Sequence, residues 1–518
     1  MKRVIVLDFG SQYAHLIARR VRELGVYSEV VPHDAPASQI RSLNPGAIIL
    51  SGGPASVYEE GAPKLRDDTL SFLLSGEVPV LGICYGHQLL AQALGGVVAR
   101  GEKGEYGLSW LKILESDLLF KGTPSTQRVW MSHRDYVEKV PSDVVAIAST
   151  DYSRVAAFRH RSKPIYGVQF HPEVRHTEHG MRILRNFLFE IAGLERNWST
   201  QGLVSSIFEG VRRAYRGGKV LMAVSGGVDS TTAAYVIKEV VGEDNIHLVF
   251  VDTGLLREGE PERVLKMLRS LGFKHVHFVD ASKRFLERLR GVVDPEEKRR
   301  VISRTFIEVF EEVRRRLEER YGPFRYLGQG TIYPDRIESG QASRRADRIK
   351  SHHNVAIPIQ VSLELLEPLK DLYKDEVRRL ARALNLPEEL IRQHPFPGPG
   401  LAVRVVGEVT EEKLRIVRKA SRIVEEELKR AGLYEELWQA FPVLLPVRSV
   451  GVMGDSRTYE YVIALRIVVS EDAMTAEFAK LPWDVLERIA SRIVNEVEGV
   501  NRVLYDITNK PPATIEFE

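Results

Sequence analysis

The single cysteine of the chain lies in a context that is typical of a catalytic nucleophile. Cys84 stands between Gly82 and Gly86 at the end of the apolar run 78–83, so a buried strand is predicted to turn sharply into a helix at this residue. Glycines are needed on both flanks because so tight a turn leaves no room for side chains. The helix N-terminus stabilises a thiolate. A lone cysteine is usually an apolar filler, but this turn favours the nucleophile.

A nucleophilic thiol needs a base, and residues 165–173 supply a candidate. His171 and Glu173 come at the end of an apolar run, two residues apart. In an extended chain such side chains project to one side, so the Glu173 carboxylate can fix the tautomer of the His171 imidazole. The pair is common by itself, but together with the turn at Cys84 it predicts a Cys-His-Glu triad for acyl transfer.

A second turn offers hydrogen-bond donors for an oxyanion. Gly52 and Gly53 follow the apolar run 47–50. The N–H groups of Gly53 and Tyr85 are predicted to hold the oxyanion of a tetrahedral intermediate, which is typically the largest electrostatic contribution to acyl transfer. The alternative is an ordinary glycine-rich turn between a strand and a helix.

Residues 224–232, with the sequence VSGGVDSTT, form a second chemical motif. Adjacent N–H groups on a glycine-rich turn and a helix N-terminus make a cradle for an anion. The motif lacks the Gly-Lys-Ser/Thr of a Walker loop, so γ-phosphate transfer is not indicated, and Asp229 is a candidate Mg²⁺ ligand. The alternative is a helix N-terminus with good capping residues. The predicted phosphate-binding residues are Ser225, Gly226, Gly227, Val228, Asp229, Ser230 and Thr231.

Short apolar strands that alternate with helices must position these residues. This alternation over the first 95 residues indicates a parallel α/β sheet, and the consecutive strands beyond Trp110 predict an antiparallel flank that ends on a helix near 180–191. The alternation restarts at Lys219, and the Pro/Gly-rich segment 394–400 breaks it again. We therefore predict an α/β multidomain protein with domains at 1–195, 196–394 and 395–518, the last of them small and α+β.

Composition restricts the class of protein. A chain of 518 residues is too long for one hydrophobic core, and its 73 basic and 70 acidic residues leave a net charge of only +3, which does not indicate a nucleic-acid partner. No apolar run approaches the ~18 residues of a membrane span, and the N-terminus reaches Asp8 too soon for a secretory signal, so a cytoplasmic location without membrane attachment is expected. One cysteine excludes an intrachain disulfide and a Cys-rich zinc cage.

Residues 1–195 resemble the class I glutamine amidotransferases in the segments around Cys84, His171 and Gly52. The resemblance implies that Cys84 attacks the carboxamide of glutamine, that His171 transfers the proton, and that Glu173 orients His171. Ammonia would leave behind a glutamyl thioester. The loop 225–231 resembles that of the N-type ATP pyrophosphatases, which implies an adenine-nucleotide α-hydrolase-like (Rossmann-like) domain that cleaves ATP between its α- and β-phosphates and adenylates the acceptor.

Later segments resemble the GMP synthases in order and wording, so that the resemblance covers essentially the full length. It implies a ligase of purine biosynthesis that converts ATP, XMP, L-glutamine and water to GMP, AMP, diphosphate and L-glutamate, with Mg²⁺, an adenyl-XMP intermediate and ammonia passed between sites. It also implies a homodimer formed through the C-terminal domain. The segments are 294–300, 329–335, 349–354, 367–370, 392–401, 447–455 and 505–516. The residues implied for XMP binding are Arg299, Gly398, Gln439, Lys510, Thr514, Ile515 and Glu516.

Two other functions share part of the pattern. An ATP-dependent tRNA sulfur-transferase, or another N-type pyrophosphatase, would share the loop 225–231, but the sulfur-transferase needs additional reactive cysteines. A non-catalytic module would bind nucleotide without turnover. Residues 335–360 resemble a mobile lid, and 356–359 replace glycines that commonly occur there in the family, which is expected to stiffen its end.

Overall fold

The computed structural model describes residues 2–11, 13–333, 335, 363–470, 476–510 and 512–518, apart from the side chain of Glu102. The chain divides into two compact units, Met1–Gly202 and Leu203–Glu518. Of the predicted lid only Asp335 belongs to the described residues, and 336–360, with the altered segment 356–359, lie outside them.

The first unit is built on a nine-stranded mixed sheet with the order β2-β1-β3-β4-β9-β8-β7-β5-β6. Its elements are β1 (Arg3–Asp8), α1 (Ala14–Glu23), β2 (Ser28–Pro32), α2 (Ala37–Ser42), β3 (Pro45–Leu50), α3 (Asp67–Ser75), β4 (Val80–Ile83), α4 (Tyr85–Ala93), β5 (Val97–Ile113), β6 (Thr126–Lys139), β7 (Val144–Ser149), β8 (Ala157–His160), β9 (Ile165–Val168) and α5 (Gly180–Arg185), which continues as a π-helical turn (Asn186–Ile191).

The sequence patterns explain this sheet. β1, β3 and β4 are nearly continuous apolar runs and are buried, as expected for parallel strands that are covered on both faces. The predicted parallel sheet is confirmed, and so is the antiparallel flank, in which β9 pairs parallel with β4 and antiparallel with β8. The flank begins at Val97 rather than beyond Trp110, because β5 contains several glycines and exposed aromatic residues and so lacks a regular alternation.

The second unit contains a five-stranded parallel sheet, β12-β11-β10-β13-β14, and a smaller sheet in which β16 pairs with β15, β17 and β18. Its elements are α6 (Thr200–Ala214), β10 (Lys219–Ala223), α7 (Val228–Val241), β11 (Ile246–Asp252), α8 (Glu260–Ser270), β12 (His275–Asp280), α9 (Ser282–Leu289), α10 (Pro295–Tyr321), β13 (Phe324–Gly328), β14 (Glu364–Leu366), α11 (Lys374–Ala383), α12 (Glu388–Ile391), α13 (Glu411–Arg430), β15 (Gln439–Met453), β16 (Ser456–Val469), β17 (Glu477–Phe478), α14 (Trp483–Glu496) and β18 (Val500–Tyr505).

One hydrophobic core extends from the parallel sheet to the C-terminal elements. Leu221 and Val249 of that sheet belong to the same buried cluster as Leu401, Ile416 and Ile463. The domain boundary that we predict at 394/395 lies within this unit and remains a prediction. No helix in the described ranges has the length and apolarity to cross a bilayer.

Three histidines stack at the edge of the parallel sheet. The ring of His247 lies 4.3 Å from that of His275 and 5.3 Å from that of His277, and its Nδ1 is 3.1 Å from Nε2 of His277. His247 is only 1% exposed. Burial and the neighbouring His275, His277 and Lys219 lower the pKa of His247 to about 4. Protonation of His247 therefore opposes the packing of this cluster.

Acidification is expected to destabilise the second unit through His247. Its folded-state pKa is about 4, whereas a histidine in the unfolded chain titrates near 6.5. The unfolded chain therefore binds the proton more readily, and the stability present above pH 6.5 falls as the pH drops, by about 2 kcal/mol at pH 5. Denaturant unfolding at pH 7.5 and pH 5 measures this loss. His247→Phe should reduce it, and His176→Phe, at an exposed site in the first unit, should not.

Candidate active sites

Cys84 lies at a strained turn between β4 and α4. Its backbone has φ 53° and ψ −103°, a conformation that non-glycine residues rarely adopt, and its N–H donates to the Val168 carbonyl at 2.9 Å. A Cβ atom on Gly82 would lie 2.4 Å from the Gly86 carbonyl oxygen, and one on Gly86 would lie 2.6 Å from Cβ of Leu50. Both glycines are therefore required by the packing of the turn.

The parallel pairing of β4 with β9 brings the predicted base to Cys84. Ile83 is opposite Val168, so the residues that follow the two strands meet at one edge of the sheet. His171 Nδ1 lies 2.7 Å from Glu173 Oε1, and both side chains are buried. Residues 171–173 form a turn rather than the extended segment that we expected. Pro172 cannot continue the strand, because it has a fixed φ and no N–H donor. The imidazole of His171 and the carboxylate of Glu173 are nevertheless in contact.

The electrostatics of this site favour a charged imidazole. Burial alone would lower the pKa of His171, but the Glu173 carboxylate and a hydrogen-bonded Cys84 sulfur outweigh burial and raise it to about 10. The carbonyl of His171 also accepts a hydrogen bond from Thr177 Oγ1 at 2.6 Å, which holds the backbone in place. The site thus places a protonated His171 imidazole beside the Cys84 sulfur.

Removing the Glu173 carboxylate is expected to weaken the interaction between His171 and the Cys84 sulfur. Glu173→Gln withdraws the carboxylate that keeps His171 protonated and oriented, so the imidazole should no longer act as a cation beside the Cys84 sulfur. Alkylation of Cys84 by iodoacetamide at pH 7 should slow at least about tenfold. Glu178→Gln, a nearby carboxylate that pairs with the exposed Arg128, is the matched control and should leave the rate unchanged. An unchanged rate in Glu173→Gln would contradict the assignment.

The predicted oxyanion donors lie beside the nucleophile. A Cβ atom on Gly52 would be 3.2 Å from Cε1 of His171 and 3.6 Å from Cβ of Cys84, and one on Gly53 would be 3.3 Å from Cγ of Tyr85. Among the described residues the N–H groups of Gly53 and Tyr85 have no acceptor. Two unpaired donors near a thiolate can receive an oxyanion.

Sequence reasoning missed the strand that closes this site. The thiol of Cys84 contacts the Ser132 carbonyl at 3.7 Å, and Nε2 of Gln88 donates to the Asp135 carbonyl at 2.7 Å. Both carbonyls belong to β6, which lies far from Cys84 in sequence. The residue pattern contains no signal for this contact, since backbone carbonyls of any residue type could make it.

The phosphate loop has the predicted strand-turn-helix geometry. It connects β10 to α7, with Gly226 at φ +79°, where a Cβ atom would collide with Val264 at 2.3 Å. The hydroxyls of Ser225 and Ser230 lie 3.1 Å apart, and the Gly227 N–H donates to Ser225 Oγ at 3.3 Å. The Thr231 hydroxyl is buried without a partner among the described residues. The loop therefore presents donors at the positive end of a helix.

Asp229 has a suitable environment for a cation that accompanies phosphates. Its Oδ1 is buried and has no hydrogen-bond partner among the described residues, while Oδ2 is ion-paired with Lys374. No cluster of three or more candidate ligands exists in the described part of the chain. Asp229 thus fits Mg²⁺, which proteins often hold with one carboxylate and substrate phosphates. Lys374, on α11, is a functional candidate that the sequence motif did not identify.

The residues implied for XMP binding fall partly together. Nε2 of Gln439 donates to Glu516 Oε1 at 2.7 Å, and the guanidinium of Arg466 donates to the carbonyls of Thr514 at 2.8 Å and Ile515 at 3.3 Å. Arg299 donates a hydrogen bond to the carbonyl of Glu518, which lies two residues after Glu516. The other two are Lys510, in an isolated β-bridge with Ala476, and Gly398, exposed in the Pro/Gly-rich segment.

Two buried arginines at this site carry no motif that would identify them. Arg404 forms an ion pair with Glu516 at 3.1 Å and is 3% exposed, and Arg466 is 0% exposed. Burial lowers the pKa of Arg404, and Glu516 opposes that effect. A buried arginine normally has a carboxylate or phosphate partner, and here Glu516 and Asp506, the latter 3.1 Å from Arg466, supply it, so the two arginines fix the C-terminal segment that carries the implied XMP contacts.

Comparison with known proteins identifies the family of the chain. Residues 5–191 match the family model described as glutamine amidotransferase class-I, residues 200–291 match NAD synthase, and residues 426–517 match the GMP synthase C terminal domain. Curated proteins named GMP synthase (glutamine-hydrolyzing) are 53% identical in Symbiobacterium thermophilum and in Aquifex aeolicus, with 99% of each chain covered. The protein of that name from Thermosipho melanesiensis is 52% identical with 100% of both chains covered.

Fold and sequence thus define a class I glutamine amidotransferase joined to an ATP pyrophosphatase of the NAD synthase type, which confirms the predicted fold class. Relatives at more than half identity match the chain from end to end. The chain belongs to the glutamine-hydrolysing GMP synthases.

Proposed function

We propose that this protein synthesises GMP from XMP, with glutamine as nitrogen donor and ATP as cosubstrate. The observation that carries the proposal is the buried Cys84-His171-Glu173 arrangement on the same polypeptide as the phosphate loop 225–231. The first produces ammonia and the second activates an acceptor. The relatives named above support XMP as that acceptor.

The glutaminase half-reaction follows from the geometry at Cys84. The thiolate attacks the carboxamide carbon of glutamine, and the N–H groups of Gly53 and Tyr85 receive the oxyanion. His171 donates its proton to the leaving nitrogen, so that ammonia departs and a glutamyl thioester remains. His171 then takes a proton from water, which attacks the thioester and releases glutamate and the free thiol. Glu173 keeps the imidazole oriented through both steps.

The synthetase half-reaction takes place at the phosphate loop. The loop N–H groups and α7 hold the β- and γ-phosphates of ATP while the C2 oxygen of XMP attacks the α-phosphate, which gives adenyl-XMP and diphosphate. Ammonia then adds at C2 and AMP leaves, which gives GMP. Asp229 and Lys374 would bind at these phosphates, and a Mg²⁺ ion held by Asp229 would neutralise their charge. Arg299, Gly398, Gln439, Lys510, Thr514, Ile515 and Glu516 are the proposed XMP contacts.

Incubation of the purified protein with ATP, XMP and glutamine tests the function. GMP, AMP, diphosphate and glutamate should appear in equal amounts. With unlabelled glutamine and ¹⁵N-ammonium in the buffer, GMP should remain unlabelled if ammonia passes between sites within the protein. AMP formation without GMP would contradict the proposal. Thiolation of tRNA would favour the alternative enzyme, although the only cysteine lies at the glutaminase turn.

We further propose that the protein is a cytoplasmic homodimer, assembled through its C-terminal elements. The hairpin of β15 and β16 exposes Val450, Val452 and Tyr459, the second of them 76% exposed. Exposed apolar patches of this kind favour a partner surface. Light scattering should give twice the mass of one chain, 58.6 kDa. A monomer at micromolar concentration would contradict the dimer.

A further inference from the structure

A polar segment of strand β6, in which His133 and Asp135 are buried, lies beside the nucleophile. This segment, residues 132–135, contacts the Cys84 thiol through the Ser132 carbonyl at 3.7 Å and the Gln88 side chain through the Asp135 carbonyl at 2.7 Å. Gln88 belongs to α4, the helix that begins at the nucleophile. The backbone of 132–135 therefore borders both the Cys84 thiol and the helix that begins there.

A buried histidine-carboxylate pair holds this segment. His133 Nδ1 lies 2.9 Å from the Asp135 carbonyl, and its Nε2 lies 3.1 Å from Glu105 Oε2. The same carboxylate oxygen accepts from Thr150 Oγ1 at 3.2 Å. His133 is 8% and Glu105 5% exposed. The two face each other directly across β5 and β6, next to a register shift between Arg100 and Glu105. Such irregularities commonly re-aim side chains beside active sites.

The carboxylate of Glu105 is the charged member of this cluster. Burial alone would raise its pKa, but hydrogen bonds from His133, Ser109 and Thr150 hold the pKa of Glu105 below its usual value. Both ring nitrogens of His133 face acceptors, the Asp135 carbonyl and this carboxylate, so the ring is held at both ends. The other ionisable groups nearby are Asp135, which accepts from Tyr58 at 2.7 Å, and His87 on α4.

We propose that Glu105 and His133 are positioning residues of the glutaminase reaction, fixing the backbone of 132–135 against the Cys84 thiol and the Gln88 side chain. Neither side chain touches the reacting atoms. The inference rests on the proposed function, because it takes glutamine as the substrate of Cys84. A displacement of this border by a fraction of an ångström would move the carboxamide out of line with the thiolate, and such errors cost up to ~100-fold in rate.

Glu105→Gln in the full-length chain tests the proposal, since it keeps the shape and removes the charge. We expect kcat/KM for glutamine to fall about tenfold or more, mainly through KM, while ammonium-dependent GMP formation stays within about twofold. The loss should divide unevenly, with KM for glutamine raised and kcat nearly unchanged, because Cys84 and His171 stay in place. A purely structural role would not confine the loss to KM for glutamine.

A double-mutant comparison sharpens the test. His133→Asn should give a similar loss, and the double variant should lose no more than either single one, because both changes break the same pair. Thr150→Val removes one hydrogen bond to Glu105 and should give a smaller loss in the same direction. His160→Asn is the matched control: His160 is also buried, 3.3 Å from the Asp143 carboxylate in the same unit, but it makes no contact with 132–135 among the described residues.

Three outcomes would overturn the inference: unchanged glutamine kinetics in Glu105→Gln, an equal loss with glutamine and with ammonium, or the same loss in His160→Asn. The proposed function fails separately, if the unaltered protein makes no GMP from XMP, ATP and ammonium. In that event glutamate release from glutamine, measured directly in the same variants, still decides whether Glu105 and His133 position the nucleophile.

Discussion

Cys84→Ala is expected to abolish glutamine-dependent GMP synthesis, by at least about a thousandfold, and to leave ammonium-dependent synthesis within about twofold. The reason is the division of the chain into two units, with the thiol and its base in the first and the phosphate loop in the second. Alanine fits the turn because the strained backbone accommodates a Cβ already. Ammonium supplied in solution replaces the product of the lost reaction.

The measurement compares initial rates of GMP formation with saturating glutamine and with ammonium chloride at pH 8.5. Because Cys84 is the only cysteine, loss of iodoacetamide labelling verifies the substitution on the intact protein. The matched control is Ser132→Ala, which leaves the backbone carbonyl that contacts the thiol in place. Equal loss of synthesis with both nitrogen donors would remove Cys84 from the glutaminase role.

Asp229→Asn is expected to have the complementary effect. The substitution keeps the shape of the side chain but removes the charge that pairs with Lys374 and that would hold Mg²⁺ at the phosphates. Formation of AMP and diphosphate should fall about a hundredfold or more with either nitrogen donor. Basal hydrolysis of glutamine should persist, since Cys84 and His171 belong to the first unit.

A magnesium titration separates the two roles of the Asp229 carboxylate, which are pairing with Lys374 and binding Mg²⁺. If Asp229 binds the ion, the variant should require a higher Mg²⁺ concentration for half-maximal activity, and raising the concentration should restore part of the rate. Asp244→Asn, an exposed carboxylate that follows the other end of α7, is the control and should behave as the unaltered protein. Unchanged AMP release at every Mg²⁺ concentration would contradict the assignment.

Local motifs were predictable because their geometry is encoded within a few residues. The glycines around Cys84 and in the loop 225–231 are needed by backbone conformation and close packing, which a short window of sequence reports. The order of strands and helices around these motifs could likewise be predicted from the apolar runs. The start of the antiparallel flank was not, since β5 mixes glycines with exposed aromatic residues.

Residues that reach a site from a distance were not predictable. Lys374 meets Asp229 across 145 positions, and Arg404 meets Glu516 across 112, so no periodicity relates them. The Glu105 and His133 pair is brought together by strand pairing after an irregular register. Contacts made by backbone carbonyls, such as that of Ser132, cannot be predicted from residue type, because every residue has such a carbonyl. Such contacts depend on topology, which residue types do not specify locally.

The common core of the second unit limits how this protein can be recombined with its relatives. Leu221 of the parallel sheet and Ile463 of the C-terminal sheet belong to the same buried cluster. A chimaera joined near residue 202 would keep that cluster intact, whereas one joined near 394 would combine two halves of a core that were never selected to interlock. Side-chain volumes mismatched in this way typically cost ~1–3 kcal/mol per overpacked site. Exchange of nucleotide specificity between homologues therefore requires transplanting residues 203–518 as one piece.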